Sequence, residues 1–251
     1  MKQNIILWLG TLIIVFLAGY LNNVTDSDYP VSGTIGVSGE KVSYNFVKKY
    51  YTNTPCPVVI RSDIKADDGY LLWRYNGGNE WKRIKMTQKG DIISAKLPVF
   101  NVNSHIAYKA VIIKNNKSYD LPPGNTVPLH FTGKIPSTIL VLYYLTLFGG
   151  IILSVRTGLE YFKEGGHVRR YSLFTLMCFF LYISVVPVKY TFEIDYITTK
   201  AVPFITSLFD IKSLLLFLLS TAGMAVAFKS SSPKLKTLII SCITLLVFII
   251  L

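Results

Sequence analysis

Ile5–Leu21, reading IILWLGTLIIVFLAGYL, carries no charge over about 17 residues, close to the lower limit for crossing a ~30 Å hydrocarbon layer. Four further apolar runs follow only after a long mixed interval: Ser137–Val155, Ser172–Val188, Phe209–Phe228 and Thr237–Leu251. This pattern predicts a membrane α-helical bundle of about five transmembrane helices with one domain inserted after the first. The expected division is an N-terminal transmembrane anchor over 1–21, the inserted domain over 22–134, and a membrane domain over 135–251. Its four helices are expected at about 137–155, 172–188, 209–228 and 237–251. The last run is shorter than the roughly 20 residues a span needs, so whether the fifth span is complete stays open.

Composition points the same way. The 251 residues are 51% hydrophobic and only 16% charged, against about 25% charged in a soluble domain. Mean hydropathy is +0.43. Aromatic content of 14% excludes a disordered chain. Cys56, Cys178 and Cys242 form no C-x-x-C spacing, which argues against a disulfide scaffold and a structural zinc site. Cys56 is expected to be buried, and the other two to be inert fillers within spans.

The net charge of +12 is unevenly placed, and in short loops that sets orientation. Lys2 precedes the first span. Arg156, Lys163, Arg169 and Arg170 lie between the second and third, and Lys229, Lys234 and Lys236 between the fourth and fifth. The other connection, 189–210, balances Lys189 and Lys200 with Glu193, Asp195 and Asp210. A cytoplasmic N-terminus is therefore expected, with residues 22–134 and the C-terminus extracytoplasmic. An uncleaved anchor is preferred to a signal peptide, whose apolar region is usually only about 7–15 residues.

Residues 30–133 show period-two alternation rather than a helical period. Tyr70-Leu-Leu-Trp-Arg-Tyr, Asn76-Gly-Gly-Asn and Trp81-Lys-Arg-Ile read as a hairpin, with the Gly pair supplying positive φ at its turn. About seven short strands in some 100 residues suggest an all-β sandwich. Residues 72–113 resemble the Ig-like or fibronectin-like modules of many surface proteins, through a hairpin Trp, a Met-containing turn and a later Tyr. That likeness implies architecture and no activity. Trp81, Lys82, Arg83 and Lys85 form a candidate interaction surface. Trp73 with Trp81 could instead build a sugar-stacking platform, but a core residue and a cross-strand partner are the simpler expectation.

In the membrane part, Lys189, Glu193, Asp195, Asp210 and Lys212 form a candidate outer polar cluster. Asp210 has two expected placements. A helix starting at Pro203 would carry its carboxylate about 10 Å along the axis, whereas a helix starting near Phe209 makes it the N-cap; the N-cap is preferred. Arg156 and Glu160, at i,i+4 spacing, read as a surface ion pair worth tenths of a kcal/mol. Gly149 and Gly150, with Gly223 and Ala227, provide small faces for close helix approach.

No P-loop, G-x-S-x-G or H-E-x-x-H motif occurs, and no two histidines share a span for haem ligation. No catalytic residue, cofactor or metal is therefore assigned. From residue 135 to about 228 the chain resembles an uncharacterised family of bacterial inner-membrane proteins with an anchored Ig-like β-sandwich and several C-terminal spans. The residues carrying the likeness are Arg156-Thr-Gly-Leu-Glu, Lys189-Tyr-Thr-Phe and Asp210-Ile-Lys. The leading expectation is a non-catalytic accessory or scaffolding subunit of a cell-envelope membrane complex. Its partners would be other membrane proteins and the lipid bilayer, with no nucleic acid. A small transporter or channel component using the polar cluster is the alternative. An envelope enzyme acting on lipid or glycan, with Glu193, Asp195 or Asp210 as acid or base, comes third.

Overall fold

The computed structural model describes residues 2–200 and 208–251, so Pro203 lies outside the described residues. The chain forms two compact units, one from Met1–Asp26 with Ile135–Leu251 and the other from Ser27–Lys134.

Among the described residues the first unit contains five long helices: α1 (Lys2–Thr25), α2 (Ser137–Leu159), α3 (Val168–Glu193), α4 (Ile211–Lys229) and α5 (Pro233–Ile250). All five are long and apolar enough to cross a membrane. Helices α2 and α3 outrun their apolar runs, because backbone hydrogen bonding does not end where hydrophobicity does. Thus α2 extends four residues past Val155, and α3 starts before Ser172 and runs through Pro187 to Glu193. At α5 a first-turn proline begins the helix, so the fifth apolar run belongs to an 18-residue helix. Asp210 is the N-cap of α4, its side chain accepting the Ser213 backbone N–H at 2.6 Å, which settles its placement at the helix end.

Within this unit α2 packs against α1, α3 and α5, and α4 bridges α3 and α5. Gly150 makes the closest approach of the three expected glycines, since a Cβ there would stand 2.7 Å from the Phe179 ring. At Gly149 and Gly223 the nearest atoms are an ordinary 3.6 Å away. Gly158, which the spacing argument passed over, is as tight as Gly150, with Ser241 2.7 Å from its would-be Cβ. Ile151, Phe179, Tyr182, Leu216 and Phe248 fill the centre, all fully buried.

The second unit is all β, with eleven described strands: β1 (Val31–Val37), β2 (Glu40–Phe46), β3 (Lys49–Tyr51), β4 (Pro57–Ser62), β5 (Asp68–Tyr75), β6 (Lys82–Lys85), β7 (Thr87–Lys89), β8 (Ile92–Lys96), β9 (His105–Lys114), β10 (Lys117–Leu121) and β11 (Val127–Thr132). They form two sheets, ordered β1-β2-β4-β8-β7 and β3-β11-β9-β5-β6. β10 and β11 pair in succession with β9, and β11 runs parallel to β3. Both sheets feed one core, with Val42, Ile60 and Ile93 from the first and Leu71, Tyr108 and Phe131 from the second. The expected hairpin is present, with Tyr70 opposite Lys85 and Trp73 opposite Lys82. Its turn places Gly77, and not Gly78, at positive φ (83°).

Candidate functional site

Strand alternation decides what the second sheet presents outward. Along β5, Gly69, Leu71 and Trp73 are buried while Asp68, Tyr70, Leu72 and Arg74 are partly exposed. Residues opposite one another in an antiparallel pair share a face, so Lys85 and Arg83, which face Tyr70 and Leu72, lie on the outer side. Lys109, opposite Leu72 on β9, joins them.

The cations on this face rest on aromatic rings. The Arg83 guanidinium sits 3.6 Å from the Tyr70 ring centroid. Arg74 lies 4.8 Å and Lys109 5.9 Å from the Trp81 centroid. A ring beneath a cation both attracts it and fixes its position, so the charges are held in place rather than trailing on free stems. Two carboxylates thread the same face: Asp120 pairs with Lys109 at 2.6 Å and Asp68 with Lys85 at 3.3 Å.

Lys82 departs from the expected group. Its partner Trp73 points into the core, so Lys82 sits on the inner side of the edge strand, 5.0 Å from the Trp73 centroid and 5.9 Å from that of Tyr75. Trp81, Arg83 and Lys85 thus stand together with Arg74 and Lys109, which sequence reasoning missed. The signal was the hairpin register itself, which alternation propagates from β6 to β5 and β9. Trp73 is buried and stacks edge-on against Phe100 at 4.9 Å, so it belongs to the core and builds no platform with Trp81.

Around this sheet, two adjacent carboxyls are held below the usual carboxylate range. Asp67 is lowered chiefly by the Asn115 backbone N–H it accepts at 2.8 Å, with Lys114 adding to it. Asp68 is lowered chiefly by the Tyr70 hydroxyl, with Lys85 adding to it. Cys56 is fully buried as expected, and burial pushes its thiol up to about 12. Tyr108 is buried with its hydroxyl donating to the Val47 carbonyl at 2.9 Å, and burial raises it as well.

Four of the five residues of the candidate polar cluster gather near Tyr143, and each has a structural task. Glu193 and Asp210 both approach Tyr143 closely enough to act on it by charge, and Lys212 is similarly close to Asp210. Lys189 pairs with Glu193 one turn on at 3.1 Å and lies 4.9 Å from the Tyr143 ring centroid. Asp195 adopts a left-handed conformation ahead of the short helical turn Tyr196–Thr199. Asp210 caps α4, and Lys212 lies 4.9 Å from the Phe248 ring centroid.

Arg156 and Glu160 correct the sequence reading. They are not a surface pair: both side chains are 0% exposed and their Nη1 and Oε1 atoms are 2.5 Å apart. Arg156 donates to Asn4 Oδ1 at 2.7 Å and lies 5.4 and 5.0 Å from the Trp8 and Tyr171 ring centroids. Glu160 accepts the His167 backbone N–H at 2.8 Å, and a Cβ on Gly166 would collide with its carboxylate. The pair is walled in by α1 and by the turn into α3, neither of which the i,i+4 spacing can reveal. Among the described residues no three His, Cys, Asp or Glu side chains cluster as metal ligands.

No protein-family model matches this chain, and no curated protein matches it. Among solved structures, the one described as "Crystal structure of Br derivative BhCBM56" is similar at 10% identity and TM-score 0.26, over 42% of this chain and 95% of that one. Likeness at that score carries no argument about fold or function.

Proposed function

We propose that the chain is a non-catalytic accessory or scaffolding subunit of a cell-envelope membrane complex. Its five apolar helices are read as a transmembrane bundle lying in a bacterial inner membrane. The basic residues of the two short interhelical loops support a cytoplasmic N-terminus, with the β unit and C-terminus outside. The neighbour orders β2-β4-β8-β7 and β11-β9-β5 support an Ig-like sandwich, because they reproduce that fold's ABED and GFC sheets.

The carrying observation is the outer face of the second sheet, where Arg74, Arg83 and Lys109 lie against Trp81 and Tyr70. Aromatic and Arg side chains are the types that anchor protein interfaces. Charges already positioned on rings lose less freedom on binding than free side chains do. The partner that fits is a membrane-protein segment with acidic side chains among apolar ones. The engagement of Lys189 with Glu193 and of Asp210 at a helix cap favours structural roles for the polar cluster over transport or acid–base chemistry.

The test is purification of tagged protein from native membranes in mild detergent, wild type beside Trp81→Ala with Arg83→Glu. Stoichiometric membrane partners with the wild type, lost with the variant while the β unit stays folded, are expected. A solitary wild-type protein, or partners retained equally by the variant, refutes the proposal.

A further inference from the structure

Between α2, α3, α4 and α5 lies a cavity of about 20 Å³ whose wall is dominated by Ser and Thr. Most of these hydroxyls have already spent their protons. Thr157, Thr175, Thr237 and Thr244 each donate to a carbonyl one turn back on their own helix, at 2.7 to 2.9 Å. Ser241 donates across to the Ser154 carbonyl at 2.6 Å. What remains on these oxygens is lone pairs. Ser172 is different: it is 3% exposed, lines the same cavity, and its Oγ has no hydrogen-bond partner among the described residues.

We infer that this cavity holds one bound water, which accepts from Ser172 and donates to two of the hydroxyl oxygens around it. The volume is that of a single-water site, which needs roughly 10–15 Å³ and two to four polar partners. An empty cavity is the expectation where no polar group lines the wall, and here several hydroxyl oxygens stand among the apolar atoms. A small cation would also find lone pairs, but among the described residues no carboxylate lines the cavity, and a buried charge without a counter-charge costs more than neutral oxygens return. The water acts as a four-helix joint, satisfying the buried Ser172 hydroxyl that the backbone leaves over.

Water-to-protein magnetisation transfer on the reconstituted full chain, measured in sodium and in potassium buffers, tests this. Transfer to the Ser172 and Ser241 signals is expected in both buffers in the wild type; that to Ser241 is kept in Ser172→Ala, which preserves the space, and lost in Ser172→Val, which fills it. Absent transfer in the wild type overturns the inference, as does transfer unchanged by Ser172→Val. Transfer or chemical shifts that depend on which cation is present also overturn it and make the cavity an ion site.

Discussion

Replacing Glu160 by Gln keeps the shape of the side chain, removes its charge and turns one acceptor oxygen into an N–H donor, leaving the Arg156 guanidinium buried without a counter-ion. Both groups are 0% exposed within the protein itself and their closest atoms are 2.5 Å apart, so neither solvent nor lipid headgroups can take over. Breaking such a pair from one side costs about 3–5 kcal/mol, whereas replacing both partners with apolar groups of similar volume is often neutral or stabilising. The double variant Arg156→Met, Glu160→Met should therefore recover most of the loss. It should still fall about 1–3 kcal/mol short, because the His167 N–H loses its acceptor. Reversible denaturant unfolding in detergent micelles, followed by far-UV circular dichroism, reads both variants against the wild type. A Glu160→Gln loss below about 1 kcal/mol, the range of an exposed pair, would refute the argument that this site excludes water.

Gly150→Ala should destabilise by about 1–3 kcal/mol through overpacking, since its Cβ meets the buried Phe179 ring at 2.7 Å, while Gly149→Ala, with 3.6 Å of room, should be near neutral in the same unfolding assay. Asp210→Ala should cost about 0.5–2 kcal/mol, the value of an N-cap, and Asp210→Asn should retain most of it. Cys56 should stay unlabelled by an alkylating reagent at pH 8 in the folded protein and react on denaturation. Because its thiol moves from 9.0 up to about 12 on folding, its contribution to stability is full below pH 9 and is lost as pH rises from 9 towards 12. Cys56→Ala should flatten that alkaline loss in a pH titration of unfolding.

Legibility from sequence followed the range of the interaction. The hairpin of β5 and β6 was readable because alternation and the Gly-Gly turn are local, and so was the Asp210 cap, three residues from the N–H it accepts. The start of α5 at Pro233 was readable in principle from the Ser232-Pro233 pair but was hidden by judging the span on apolar length alone. The burial of Arg156 was not readable, because it depends on Asn4 and Trp8, some 150 positions earlier. Lys82 misled for a simpler reason: a run of basic residues looks continuous in sequence, yet a strand sends alternate side chains to opposite faces.

The central claim, that the outer face of the β5–β6–β9 sheet docks an acidic membrane partner, is tested most directly by a photoreactive phenylalanine analogue at position 81, irradiated in native membranes. Position 96, at the exposed end of β8 in the other sheet, serves as control. A discrete adduct with one membrane protein from position 81, absent from position 96, is the predicted result. No adduct from position 81, or the same adducts from both positions, would contradict it.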